Sequence, residues 1–239
     1  MKVRLGDVQL NEEFDVFVTK RPLPEFRASG TTIYGRNGED FENATIGTRT
    51  VELTLVAHDN TKIGLQDAAR RLTDIIAGHN EPVNLRIADE KDPDGNQLYR
   101  RVVPIGTPEY TPYVHAGMFV VKFKQFSPFL YGKQRTEVLT ANQWKGFDTG
   151  GSYFAWPEIT AYPSSSSYTI EKSGGEWLTY KAPMAGKKLI IDTHDQVAKC
   201  SPSASGDGLQ IGSRFFSIEG AVLLKANAKT EITWRERWL

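Results

Sequence analysis

Cysteine is almost missing from this chain: Cys200 is the only one among its 239 residues. Neither an intrachain disulfide nor a multi-cysteine metal site is therefore possible. The thiol, followed by the polar run "SPSASGDG", reads as structurally incidental. No run approaches the roughly eighteen apolar residues of a membrane span. The opening "MKVRLGDVQL" lacks the apolar segment of a secretory leader, and no membrane insertion is expected. Neither charge is in excess: Lys+Arg and Asp+Glu both number 29. Global charge thus points to no nucleic-acid or anionic-membrane partner. Phosphate-binding signatures are missing as well. "GRNGED" does not sit between a strand and a helix, and "YGKQRT" lacks the glycine spacing of a P-loop. There is no Gly-x-Ser-x-Gly elbow. His58, His79, His115 and His194 form no His-x-His or His-x-x-x-His pair. No metal, cofactor or catalytic residue is expected.

What the chain does have is enough apolar sequence for a core, 39% of its residues, and a texture that changes part-way along. In "TKIGLQDAARRLTDIIAG", Leu65, Ala68, Ala69, Leu72, Ile75 and Ile76 recur at three- and four-residue spacing, which predicts an amphipathic helix over about 61–78. Asn60 or Thr61 can cap its start, and Gly78 is expected to close it in the left-handed conformation. Around it the period is two. Val51, Leu53, Leu55 and Ala57 form one inward face, Val83, Leu85 and Ile87 another, and Phe119, Val121 and Phe123 a third. Strands are expected over 98–105 and 118–125, joined by a longer loop, and "DPDG" at 92–95 is a turn signal. Residues 1–133 therefore read as a β-sheet or split-barrel domain carrying one helix. Residues 134–239 become short strands over 154–161, 168–171, 177–181, 187–192, 209–211, 215–218, 221–225 and 230–234. Gly, Ser and Pro separate them at the spacing of an antiparallel β-sandwich.

Three further features bear on function. Asp192, His194 and Asp195 form the densest polar cluster; they read as a hairpin turn, with a metal or hydrolase site as the competing reading. The adjacent carboxylates Glu12-Glu13 and Asp89-Glu90 are expected to point apart, as neighbours in extended chain do. All five tryptophans lie in the β-rich half. Trp234 is in phase with Ile232 and looks like core, while Trp177 is the candidate sugar platform of an alternative reading, a carbohydrate-binding cell-surface or host-adhesion module. Residues 11–50 hold no clean period although Phe14, Val16, Val18, Phe26, Ile33, Tyr34 and Phe41 are spread through them. Such a segment is expected to pack on something outside its own domain.

The order of these parts resembles the distal tail proteins of siphophages, over essentially the whole chain. An Arg-Pro segment precedes "TIYGRNGEDFENATIGTRTVELTLVA", a single helix between strands follows, then "SPFLYG" at 127–132, then "LIID" at 189–192 and a terminal tryptophan-bearing strand. This chain has Ser127 where the family commonly has an acidic residue before the proline, and its sandwich holds no inserted carbohydrate-binding module. The resemblance implies a virion structural protein of the tail tip or baseplate, made in the host cytoplasm. It implies a homohexameric ring joining the tail tube to the tail-associated lysin or fibre hub and to the receptor-binding protein, with DNA passing through unbound. The first domain would form the ring, and the second would be a galectin-like sandwich without turnover chemistry. Phe26, Ile33, Tyr34 and Phe41 are the expected subunit-interface residues. Pro128, Phe129 and Tyr131 are the expected domain joint: proline stops the strand that Phe123 ends.

Overall fold

The computed structural model describes residues 2–32, 39–59, 61–79, 81–181, 186–200 and 208–239. They form two compact units, one reaching Leu130 and including Leu239, the other Tyr131–Trp238. The mainly β expectation, with a single long helix, is borne out.

The first unit runs β1 (Val3–Leu5), β2 (Val8–Gln9), a 3-10 turn over Leu10–Glu12, β3 (Asp15–Lys20), β4 (Phe26–Thr32), β5 (Glu39–Ile46), β6 (Arg49–His58), α1 (Lys62–Ala77), β7 (Val83–Ile87), β8 (Arg100–Pro112) and β9 (Ala116–Gln125). Seven of these strands make an antiparallel sheet in the order β2-β1-β7-β8-β9-β6-β3. The sheet is open, with β2 and β3 as its edges, so the split-barrel form of the expectation gives way to an open sheet. Register explains the core. Val51, Leu53 and Leu55 stand opposite Phe123, Val121 and Phe119, and cross-strand partners share a face. All six are buried. Leu65 and Leu72 of α1 join this core, with Ala68, Ala69, Ile75 and Ile76 packed at its margin.

Thr61 caps the helix, its side chain accepting from the Gly64 N–H at 3.1 Å. Gly78 departs from expectation. Its φ of −66° is helical, because its N–H still donates to Asp74 O at 3.2 Å and the turn simply continues. The expected long loop after residue 105 is also corrected. Strand β8 runs on to Pro112 past an irregularity between Ile105 and Glu109, and only Tyr113–His115 connect it to β9. This outer half of β8 is exposed, so burial imprints no period of two on its sequence. A third correction concerns residues 11–20. Phe14 and Val16 are buried in their own unit, and β3 pairs with β6. Only the later part of the 11–50 segment stands away from the sheet.

The second unit comprises β10 (Leu130–Leu139), β11 (Trp144–Asp148), β12 (Glu158–Ala161), β13 (Ser167–Lys172), β14 (Glu176–Lys181), β15 (Leu189–Asp192), β16 (Val197–Cys200), β17 (Ala221–Ala226) and β18 (Thr230–Trp238). They form a five-stranded sheet, β10-β18-β12-β15-β16, and a four-stranded one, β11-β17-β13-β14. Ile159, Leu189, Ile191 and Ile232 of the first share one buried core with Tyr168, Ile170, Leu178 and Leu224 of the second, which makes a sandwich. The last strand, β18, stays within it. Trp234 is core as expected, its indole N–H donating to Thr149 O at 2.8 Å. Strands β10 and β11 went unread in the sequence. The expected strands at 209–211 and 215–218 reduce to the single bridges Tyr180↔Leu209 and Ala155↔Ile218, because neither pairing propagates into a ladder.

One glycine here is irreplaceable on steric grounds. Gly151 has φ +80°, and a Cβ built on it would lie 2.5 Å from the carbonyl oxygen of Arg237. Both the left-handed backbone and the backbone contact exclude a side chain. Gly151→Ala is expected to destabilise the second unit by about 1–3 kcal/mol, read as a lower denaturant midpoint with an unchanged slope.

Candidate assembly interface

Strands β4 and β5 form a two-stranded sheet of their own. Every residue of β4 is exposed. The pairing begins Phe26↔Ile46, Arg27↔Thr45, Ala28↔Ala44 and Ser29↔Asn43, then shifts so that Gly30 faces Phe41, Thr31 faces Asp40 and Thr32 faces Glu39. Glu42 is the extra residue. Without this bulge, Phe41 would fall on the opposite face from Ala44 and Ile46, because side chains alternate along a strand. With it, Phe26, Ala28 and Gly30 of β4 share a face with Ile46, Ala44 and Phe41 of β5. Arg27, Ser29 and Thr31 share the other with Thr45, Asn43, Glu42 and Asp40. The Thr31 hydroxyl donates to the Glu42 carboxylate on that polar side.

The hairpin is therefore amphipathic, and apart from the half-buried Ile46 its apolar face is uncovered by the described residues: Phe26 is 72% and Phe41 70% exposed. Four residues along a strand span roughly 13 Å, which is the separation of the two rings' positions on that face. A single aromatic at a surface needs no explanation, but a continuous apolar face rimmed by polar groups marks an interaction surface. Ile33 and Tyr34 lie outside the described residues. Phe26 and Phe41 are thus brought together with Ala28, Ala44 and Ile46, which sequence reading did not single out. The signal was present in β5, where the apolar residues occur in two phases, 41 and then 44 and 46.

A partly buried ionic network holds the root of this hairpin. Arg21, in the "RPLP" segment before β4, donates to Asp89 Oδ1 at 3.1 Å and Oδ2 at 2.9 Å, and to Glu90 Oε1 at 3.2 Å. The bidentate pair raises the Arg21 pKa, and the same hydrogen bond from Arg21 lowers that of Asp89. Glu90 in turn receives both Nε and Nη2 of Arg100. Arg100 Nη1 reaches Gln125 Oε1 at 3.2 Å, and Gln125 Nε2 donates to Phe129 O at 2.8 Å. Arg49 donates to Pro128 O. Burial, followed by the like charge of Arg100, lowers the Arg49 pKa, with Glu90 opposing. Arg100, Glu90, Gln125 and Arg49 are all buried.

The expectation that Asp89 and Glu90 point apart is thereby overturned. Residues 88 and 89 form a turn at the end of β7, so the alternation of an extended chain does not apply and both carboxylates meet Arg21. Of the expected joint residues, Pro128 and Phe129 supply the carbonyls that this network holds. Tyr131 is the second residue of β10.

The other candidates have simpler roles. Asp192 Oδ1 accepts from the N–H groups of His194 at 2.9 Å and Asp195 at 3.0 Å, closing the turn between β15 and β16. His194 Nδ1 and Asp195 Oδ1 are 2.8 Å apart and well exposed. Among the described residues no group of three His, Cys, Asp or Glu side chains is placed to hold a metal. No helix of the described residues is long and apolar enough to cross a membrane.

Comparison with known proteins bears on the assembly reading. Residues 150–238 match the family described as the siphovirus-type tail component, C-terminal domain. The resemblance to the siphophage distal tail proteins is borne out. Over the whole chain the fold is similar to the crystal structure of Dit (gp 19.1) of phage SPP1. That protein is described as a paradigm of the hub adsorption apparatus in phages infecting Gram-positive hosts. The likeness has a TM-score of 0.82 at 17% identity and covers 100% of this chain and 99% of that one. A chain of the phage p2 baseplate, in its activated conformation with Sr, is similar with a TM-score of 0.50 at 10% identity, covering 99% of this chain and 91% of that one. At such identities the likeness is one of fold. No curated protein matches the sequence. The solved structures that this chain resembles in fold are thus phage hub and baseplate proteins.

Proposed function

We propose that this chain is a structural adaptor of a bacteriophage or prophage tail tip, six copies of which close into a ring through the β4–β5 hairpin. The observation that carries this reading is the uncovered apolar face of Phe26, Ala28, Phe41 and Ala44, on a fold shared along its full length with a phage hub protein. A hairpin that packs on the next subunit makes a head-to-tail contact, and such contacts close into rings when the rotation between copies allows it. The open sheet edges at β2 and β3 add further surface for the same purpose, since an unpaired strand edge is a template for association.

In this reading residues 1–133 form the ring wall and residues 134–239 an outward-facing, galectin-like sandwich, with Pro128, Phe129 and Tyr131 at the joint. The ring joins the tail tube to the tail-associated lysin or fibre hub and carries the receptor-binding protein. DNA passes through the lumen without specific binding, because attraction to phosphates would retard it. The protein acts without cofactor or turnover, at the virion tail tip, after synthesis in the host cytoplasm. Cryo-electron microscopy of the assembled state tests this directly. We expect a closed ring in which residues 26–46 bury their apolar face on the neighbouring subunit, across an interface of roughly 1,000 Å² or more. A ring in which the hairpin touches only its own subunit would overturn the assignment.

A further inference from the structure

The outer face of the four-stranded sheet carries a row that its register makes continuous. Trp144 of β11 stands opposite Lys225 of β17, Lys225 opposite Glu171 of β13, and Glu171 opposite Trp177 of β14. Directly opposed residues project from the same face, and this face is the one away from the core, which takes Tyr168, Ile170, Leu178 and Leu224. The two indoles thus flank a central ion pair, Lys225 Nζ to Glu171 Oε2 at 3.8 Å. The Lys225 ammonium also lies over the Trp144 ring, 5.8 Å from its centroid. In the neighbouring row Thr169 opposes Thr179, their hydroxyls 2.9 Å apart.

Trp144, Glu171, Trp177, Thr169 and Thr179 line an open groove of about 710 Å³, bounded at one end by the Ser173–Gly175 reversal, and Lys225 stands at its margin opposite Glu171. Its volume lies in the range of small-molecule sites, roughly 300–1,000 Å³. Trp144 is 50% exposed, an unusual placement for an indole with no role, since burying its ring is favourable.

We propose that this groove binds a neutral oligosaccharide. The C–H face of a pyranose ring is apolar and stacks on an indole, while its edge of hydroxyls needs both donors and acceptors. The row supplies an indole at each side, three strand spacings or roughly 14 Å apart, with the Glu171 carboxylate and the Lys225 ammonium between them and the Thr169 hydroxyl in the neighbouring row. Lys225 is neutralised by Glu171, and Lys172 by Glu176 at 2.6 Å. The groove together with its margin therefore carries no unbalanced charge to select an ionic ligand. A chain long enough to rest on both indoles fits the row better than a single sugar.

The site is independent of the ring, so the full-length protein serves for the test in whatever oligomeric state it adopts. The probe is a printed array of neutral oligosaccharides built from hexoses, N-acetylhexosamines and deoxyhexoses, with hits titrated by calorimetry. Trp144→Ala is expected to weaken binding roughly tenfold or more, the loss of one stacking platform, with an unchanged melting curve because that side chain lies at the surface. Glu171→Gln, which keeps the shape and removes the charge, is expected to weaken it without disturbing Trp177. An array with no neutral hit would overturn the proposal, as would hits whose affinity is the same in Trp144→Ala. Loss of binding to a tail protein in Trp144→Ala, with no saccharide bound by the wild type, would assign the face to a protein partner and equally overturn it.

Discussion

Replacing Phe26 and Phe41 together by alanine is expected to leave a folded subunit that no longer closes into rings. The two rings are the largest apolar side chains on the exposed face of the β4–β5 hairpin. Burying a phenylalanine contributes about 1.5–3 kcal/mol relative to leaving it in water, so the pair accounts for roughly 3–6 kcal/mol at each joint. That corresponds to about two to four decades in the association constant, and a closed ring repeats the loss at every interface. Stability of the isolated subunit should hardly change, because neither ring is buried by its own chain. The polar face provides the control: Ser29→Ala and Thr45→Ala, on the other side of the same hairpin, should assemble as the wild type does. Native mass spectrometry and negative-stain imaging at matched concentrations read the outcome. Assembly that survives the double alanine variant would remove the hairpin from the interface.

Glu90→Ala is expected to be the most damaging single substitution in the first unit. Its carboxylate accepts from Arg100, which is only 2% exposed, and from Arg21 at the root of the hairpin. Removing it leaves a buried guanidinium bonded to the neutral Gln125 amide in place of a carboxylate, and an uncompensated buried charge costs about 3–5 kcal/mol. Urea unfolding should show a correspondingly lower midpoint, and hydrogen exchange should show lost protection in β8 and β9, whose residues Arg100 and Gln125 are tied through the network. The double variant Glu90→Leu with Arg100→Met should recover much of the loss, because apolar replacement of a whole buried pair is far cheaper than breaking it. It would not recover the clamp on Arg21, so ring assembly separates the two roles. If Glu90→Ala unfolds no more readily than the wild type, the network contributes nothing to stability.

Much of the architecture was legible before any coordinates. Helix α1 and strands β6, β7 and β9 carry periods that follow directly from burying one face, and Leu65, Leu72, Val51, Leu53, Phe119 and Phe123 are inside as their spacing requires. Trp234 was readable as core for the same reason. Strands that bury little were not readable: the outer half of β8 and the whole of β4 are exposed, so no water-excluding face selects an alternating pattern there. Phe26 and Phe41 could be named as apolar residues without a partner in their own domain. Their common face could not, because one bulge at Glu42 reverses the phase of everything beyond it.

The sequence by itself determined two β-rich halves, the single helix, the inward faces of the long strands, the turn at Asp192 and the likeness to distal tail proteins. Each of these rests on local spacing or on an ordered set of short motifs. Only the tertiary structure decided that residues 15–20 belong to the sheet, that Asp89 and Glu90 converge on Arg21, and that Trp144 and Trp177 share one row with Lys225 and Glu171. Those facts depend on turns and on the register between strands far apart in the chain. A period along one strand says which side a residue faces, but only pairing says what it faces with.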